Sequence, residues 1–266
     1  MLSIFETHLR AIEYAPLILT IFIFIFTFVG WRFGHYRIKR TFKNGDSIVV
    51  GDSLMAAIFG LSALVLGFTF SGSASKYSAQ MDAIRIQAQA LGGVYDSVKF
   101  LDPKDQVIIR KSLKELLHTR LETYKNLQKL SDIDEGAKKI ATLTWRIQEE
   151  VANAASRVPQ QNKVLFEDFL VPDVKNLANV FAAGIINTKS HPPGLLMRFL
   201  LFLLCIGAFL IGYIMAVKKE GDWLLAGMYT FLIGLSMYII LSLEIPNILM
   251  PYEEVNRDLL LLINSF

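Results

Sequence analysis

Four long apolar runs dictate what this chain can fold into: Ala15–Trp31, Ser53–Phe70, Leu195–Val217 and Trp223–Ile245. Each is close to the roughly 20 residues a helix needs to cross a bilayer. They come as two pairs, separated by a mixed-charge stretch from Ser71 to Pro193. The pattern specifies an all-α membrane protein with four transmembrane helices in two hairpins and a helical extramembrane domain between them. The expected organisation is 1–71 for the N-terminal segment and first hairpin, 72–193 for the helical domain, 194–246 for the second hairpin and 247–266 for an amphipathic tail. Composition agrees: 53% of residues are apolar and Phe occurs 19 times, more apolar than a soluble domain of this length.

Charge narrows the classes. A net charge of +3 is too small to point to nucleic acid. Between Ser71 and Pro193 there are 17 basic and 14 acidic residues, the mixture of an ordinary solvated helical surface. Basic residues gather in both short loops. Arg32, Arg37, Lys39, Arg40 and Lys43 lie between the first two spans, and Lys218 and Lys219 between the last two. The positive-inside rule therefore puts both loops in the cytoplasm, and both termini and the helical domain outside. The first residues include Glu6, Arg10 and Glu13 with no cleavage site after the first run, so no removable signal peptide is expected. The single cysteine, Cys205, lies within the third run and forms no intrachain disulfide.

The middle of the chain reads as helix throughout. Tyr77, Met81, Ile84, Ala88, Leu91, Tyr95 and Val98 recur at helical spacing, so the second span is expected to continue past the membrane as one long helix. Asp102-Pro103 is a cap followed by a first-turn proline. It opens a helix to about Leu130, with Leu113, Leu116, Leu117, Leu121 and Tyr124 on one stripe. Ser131 or Asp132 caps a third helix to about Arg157. A fourth begins after Pro159, breaks or kinks at Pro172 and ends near Thr188. Pro192-Pro193 marks the return to the membrane. After Pro251 a short amphipathic helix lies along the membrane interface or packs on the domain.

The second span differs from the others. Ala56, Gly60, Ala63, Gly67, Ser71 and Ala74 make a small-residue series that allows close helix approach. Ser62, Thr69 and Ser73 add hydroxyls, and Phe59, Phe68 and Phe70 add rings. One reading is a packed helix interface whose hydroxyls bond back to their own carbonyls. The other is a pore-lining helix in which hydroxyls wet the wall and a ring gates by dewetting. No ionisable residue sits at the middle of any span, which speaks against proton relays and secondary transporters. Glu244, at the exit of the fourth span, is either a charge at a pore mouth, a partner for a cation or a marker of the span's end.

Catalytic and metal signatures are missing. No Gly-x-Ser-x-Gly, phosphate-binding glycine loop or His-Glu-x-x-His occurs. His8, His35, His118 and His191 are not spaced to share a metal on one helix, and His118 is expected on a helix surface. Glu149-Glu150 and Glu253-Glu254 are adjacent pairs whose side chains diverge on a helix. No enzyme activity, cofactor or metal is expected.

The stretch Leu64-Val-Leu-Gly-Phe-Thr-Phe-Ser-Gly-Ser-Ala-Ser-Lys-Tyr77 resembles the signature of a bacterial bestrophin-like membrane protein family of unknown function. Gln87–Tyr95, Arg110–Tyr124 and Glu244-Ile-Pro246 resemble further parts of it, so the resemblance covers most of the chain. It implies a remote relation to bestrophins, which are oligomeric anion channels with their helical domain and termini in the cytosol. The paired tryptophans of true bestrophins are replaced here by Met81-Asp-Ala-Ile, and the loop charges give the opposite orientation, which is the one expected here for a protein of the bacterial cytoplasmic membrane.

The expectation is a homo-oligomeric, channel-like protein whose partners are the bilayer, copies of itself and ions. Its second span lines the axis through Phe59, Ser62, Leu66, Thr69, Phe70 and Ser73. Lys76 at the throat favours anions if its side chain points inward, with Glu244 nearby. The alternative is a non-conducting sensor or scaffold whose extracytoplasmic helices bind a partner.

Overall fold

The computed structural model describes residues 13–42, 52–125, 127, 129–189, 194–218, 222–263 and 265–266. His8, Lys43, Lys219, His191 and Pro192-Pro193 lie outside the described residues. Among the described residues the chain is all-α, with no strand. The main helices are α1 (Ala15–Phe42), α2 (Asp52–Ser97), α3 (Pro103–Lys125), α4 (Leu130–Ala154), α5 (Val171–Lys189), α6 (Gly194–Val217) and α7 (Trp223–Glu244). Four of them are long and apolar enough to cross a membrane, over Ala15–Arg40, Met55–Phe100, Leu195–Val217 and Trp223–Glu244. The helices fall into two compact units. One comprises Ala11–Lys76 and His191–Glu244, the other Tyr77–Ser190 and Ile245–Phe266.

In the first unit, α1 packs chiefly on α6 and also on α7. Glycines make this possible. A Cβ on Gly212 would sit 1.8 Å from the Thr27 carbonyl oxygen, and one on Gly30 would sit 2.0 Å from that of Phe209. Without the glycines the two backbones could not meet, as expected where van der Waals contact rather than hydrophobicity joins helices in lipid. Thr20 and Thr27 donate their hydroxyls to the carbonyls of Pro16 and Ile23, at 2.8 and 3.1 Å. Polar atoms are thereby satisfied within the helix.

In the second unit, the C-terminal half of α2 contributes Ile84, Leu91 and Val94 to one apolar core, and Val98 joins them from the 3-10 turn that follows. α3 adds Leu113, Leu116, Leu117 and Leu121, α4 adds Ile140, Leu143 and Ile147, and α5 adds Val174, Leu177 and Phe181. These are the stripes the helical period predicts. α2 is indeed one unbroken helix of 46 residues, about 69 Å at 1.5 Å per residue.

Local signals act where they were expected, with two shifts. Asp102 Oδ1 accepts the Lys104 N–H at 3.0 Å, capping α3 at Pro103; α3 ends earlier, at Lys125. α4 begins at Leu130, and Asp132 is not its cap residue. Its carboxylate reaches back from the first turn to accept the Lys129 N–H at 2.8 Å. The irregularity at Pro172 takes the form of a five-residue π-helix, Phe166–Leu170, immediately before α5. Proline has no N–H for the carbonyl four residues back and crowds it, so the preceding turn widens.

The C-terminal segment packs on this unit. Val255 and Leu259 are buried in the core, Tyr252 Oη donates to the Leu121 carbonyl at 3.0 Å, and the Phe266 ring stacks on Tyr95 at 4.0 Å between centroids. Of the two placements open to the tail, this is the one on the helical domain. Asp105, at the start of α3, holds Arg157 beyond α4 through two bonds of 2.7 and 3.0 Å.

Candidate functional site

The membrane half of α2 has two unlike flanks. One carries Phe59, Ser62, Leu66, Thr69 and Ser73, at steps of three and four, and so lies on one face. That face turns toward α6 and α7. Leu66 and Val65 pack against Leu200, Leu204, Met237 and Ile240. Phe59 meets Tyr229 edge to face at 6.2 Å. Gly207 admits the Phe59 ring, since a Cβ there would lie 3.3 Å from it. Phe59, Ser62 and Leu66 line an apolar recess of about 500 Å³ with Leu204, Tyr229 and Ile233. The hydroxyls bond back along the helix, Ser62 to Ile58 O and Thr69 to Val65 O, both at 2.8 Å.

The other flank is uncovered. Gly60, Leu64 and Phe68 succeed one another at steps of four, with Gly67 beside them. Among the described residues nothing lies within 4 Å of where a Cβ on Gly60 or Gly67 would be. Leu64 is 55% and Phe68 67% exposed. Only 6% of the most apolar window of this span is buried by the chain, against 22, 44 and 33% for the other three spans.

The six residues expected to line an axis are therefore placed as follows. Phe59, Ser62, Leu66 and Ser73 face the chain's own helices, Thr69 is half-buried at the same face, and Phe70 is 44% exposed. Sequence reasoning placed Gly60, Gly67 and Phe68 on the span but did not single them out, and missed Leu64. The pattern of sizes showed two flanks without saying which one the chain covers.

Lys76 is paired within the chain. Its ammonium Nζ donates to Glu244 Oε1 in an ion pair. Ser73, one turn earlier on α2, offers its hydroxyl to Oε2 of the same carboxylate at 3.5 Å. Glu244 is 8% exposed at the last residue of α7. Of the three roles open to it, partner of a cation is the one observed. A buried carboxylate is costly unless paired and hydrogen-bonded, and residues 73 and 76 lie on one side of α2 where both can reach it. The positive charge of Lys76 is neutralised within the chain.

The helical domain holds a buried polar cluster with no counterpart in the sequence motifs. Arg120 is 5% exposed. Its guanidinium lies 3.7 Å from the Tyr124 ring centroid, and its Nε donates to Gln87 Oε1 at 3.2 Å. Gln87 Nε2 in turn donates to the Val180 carbonyl at 3.4 Å. Burial pushes the Arg120 guanidinium below its usual pKa, with Tyr124 and Tyr252 acting in the opposite direction. The packing is tight: a Cβ on Gly184 would lie 1.9 Å from Gln87 Nε2. This cluster ties α2, α3 and α5 together. His118 lies exposed on α3. Among the described residues no group of three His, Cys, Asp or Glu is placed to hold a metal ion.

No family model and no curated protein matches the sequence. Solved structures do match in fold. Two are variants of a bacterial bestrophin homolog from Klebsiella pneumoniae. One superposes with a TM-score of 0.65 at 13% identity, covering 92% of this chain and 98% of that one. The other has a TM-score of 0.61 at 15% identity, covering 90% and 97%. A third, described as a membrane protein, has a TM-score of 0.64 at 11% identity, covering 95% and 97%. The chain thus has the bestrophin-homolog fold along nearly its whole length, at the low identity of a remote relation.

Proposed function

We propose that this chain forms a homo-oligomeric ion channel in which the uncovered flank of α2 faces the central axis. The observation that carries this reading is the contrast between the two flanks. A helix side meant only for lipid is served by bulky side chains, as on α1, where Phe22, Phe24, Ile25 and Phe28 are exposed. On α2 the uncovered side is built from Gly60, Ala63 and Gly67, with Leu64 and Phe68 projecting between them. Repeated around an axis, small residues leave space, and a ring of Phe68 side chains forms an apolar constriction that gates by dewetting. The fold shared with bestrophin homologs supports the same reading, and the ions tested first are anions. With Lys76 paired to Glu244, selectivity would come from the dimensions and dipoles of the constriction.

The protein sits in a bacterial cytoplasmic membrane. The basic residues at the C-terminal end of α1, Arg32, Arg37, Lys39 and Arg40, face the cytoplasm, and the helical domain and termini lie outside. Reporter fusions after residues 45 and 125 test the orientation; activity of an externally active reporter at 45 and not at 125 would reverse it.

Reconstitution into planar bilayers tests the channel. Chloride currents that rise several-fold in Phe68→Ala, with little change in Phe70→Ala, support it. A monomer in lipid nanodiscs, or silent bilayers with protein shown to be inserted, would sink it.

A second reading, a non-conducting scaffold, is favoured by the large apolar residues open on the helical domain. Val107 is 70%, Trp145 64% and Val164 66% exposed. Under that reading the domain docks a partner and Leu64 lies in a dry contact, protected from water-soluble thiol reagents once changed to Cys.

A further inference from the structure

The exposed side of α1 changes character along its length. Ile25, Phe28, Arg32, Tyr36 and Lys39 succeed one another at steps of three and four, so they share one face. All five are exposed, and exposed Arg40 flanks them. The opposite side of the helix is taken up by α6. A Cβ on Gly34 would lie 2.6 Å from that of Ala216, and Arg37 donates to Tyr213 Oη at 3.3 Å.

We propose that Arg32, Lys39 and Arg40 form a headgroup site for anionic phospholipid, whose acyl chains lie along the Ile25 and Phe28 part of the same face. Charge is the first ground. No acidic residue occurs from Tyr14 to Gly45. Among the described residues none of the three cations is in an ion pair. Lys39 and Arg40 lie in the last turn of α1, whose dipole offsets only about half a unit of positive charge. Asp222, the carboxylate before α7, accepts the Leu225 N–H at 3.1 Å.

Depth is the second ground. Trp31 of α1 meets Trp223, the first residue of α7, at 5.6 Å between ring centroids. Tryptophans from two spans at one level mark a membrane–water interface. From Ala15 to Trp31 the helix rises roughly 24 Å, most of a hydrocarbon core about 30 Å thick. Arg32 therefore stands at the phosphates, and the longer reach of Lys39 and Arg40 lets their side chains bend back to the same layer. Guanidinium groups engage phosphate oxygens in a fork.

Continuity of the face is the third ground. Toward the N-terminus it presents the bulky apolar side chains that lipid tails require, and at the tryptophan level it turns basic. One phospholipid has that order of chemistry, tail and then anionic head. A soluble acidic partner would match the charges and leave Ile25 and Phe28 unexplained.

Tryptophan quenching in vesicles tests this with the full chain in a Trp145→Phe background, which leaves Trp31 and Trp223 as the reporters. Phosphatidylglycerol with brominated acyl chains, as a minor component of unbrominated phosphatidylcholine, should quench at least roughly threefold more effectively than brominated phosphatidylcholine at the same mole fraction. Salt of about 1 M, where the Debye length is about 3 Å, should remove most of the difference. So should the combined Arg32→Gln, Lys39→Gln, Arg40→Gln variant, whereas Arg32→Lys with Arg40→Lys should keep it. Equal quenching by the two lipids at low salt would overturn the proposal, and so would a preference that high salt leaves unchanged. These two readings use the parent side chains and stand even if the neutralised variant fails to insert. A preference undiminished in the inserted neutralised variant would place the lipid elsewhere and overturn the site.

Discussion

Lys76 and Glu244, 168 positions apart, form an ion pair between the middle of α2 and the last residue of α7. Ser73 joins them on the same carboxylate. The two partners are unequally exposed, 20% for the lysine side chain and 7% for the glutamate. That difference decides how the pair should respond to mutation.

Lys76→Met leaves the more deeply buried charge without its partner, whereas Glu244→Gln leaves the more accessible one. Breaking a buried pair costs roughly 3–5 kcal/mol, less where water reaches a partner. We expect Lys76→Met to lower the melting temperature in detergent more than Glu244→Gln. The double variant should recover part of the loss. Equal losses that simply add would show that the pair contributes nothing through its charges.

Glycines on α6 and α2 should behave oppositely. Gly212→Ala forces a methyl into the Thr27 carbonyl and should cost about 1–3 kcal/mol, the usual range for overpacking. Gly60→Ala meets open space within the protomer. Its thermal stability should be unchanged when the chain is held as a monomer. Urea or heat titrations of both variants, at matched detergent concentration, make the comparison.

Thiol accessibility separates the two flanks of α2. In a Cys205→Ser background, Ser62→Cys should resist a charged methanethiosulfonate, because position 62 is covered by the chain itself. Leu64→Cys should react if the open flank meets water on an axis. Rapid modification of position 62 with protection of position 64 would reverse the assignment of the flanks.

Arg120 is held by hydrogen bonding and ring stacking, and no carboxylate pairs with it among the described residues. Arg120→Leu alone strands Gln87 Oε1, at a cost of about 1–3 kcal/mol for an unsatisfied buried group. Replacing both Arg120 and Gln87 by Leu removes the orphan, and buried polar sets are often replaced by apolar ones at little cost. The double variant should therefore be more stable than the single one. Chemical denaturation followed by helical circular dichroism reads this directly.

Glu150 gives the helical domain a pH dependence of definite sign. Burial raises its pKa above the ordinary 4.5, against the lowering effects of the Ser112 hydrogen bond and Arg146. The folded state then holds its proton more tightly than the unfolded state. This contribution to stability is present at low pH and is lost as pH rises from the ordinary glutamate range through the raised value. Glu150→Gln, which keeps an acceptor for the Ser112 hydroxyl (3.0 Å from Glu150 Oε1), should flatten that part of the stability curve and raise stability at neutral pH.

Features that depend on near neighbours are legible in the order of residues. The four spans follow from apolar length alone. The unbroken α2 follows from helical spacing across residues 71–98 with no proline. The Asp102 cap and the irregularity before Pro172 follow from one residue's hydrogen-bonding chemistry. Each is set within a turn or two of helix, so the sequence by itself determined it.

Tertiary structure alone decided which flank of α2 the chain covers, where Lys76 points and that Arg120 is buried. In water, hydrophobicity tells a buried face from an exposed one. In a bilayer both faces of a span are apolar, and packing shape does the choosing. By composition the hydroxyl flank of α2 is as fit for an axis as the glycine flank; what separates them is that Gly207 and Tyr229 receive Phe59. Lys76 and Glu244 meet only because α2 and α7 come together far along the chain, a relation that no local pattern encodes.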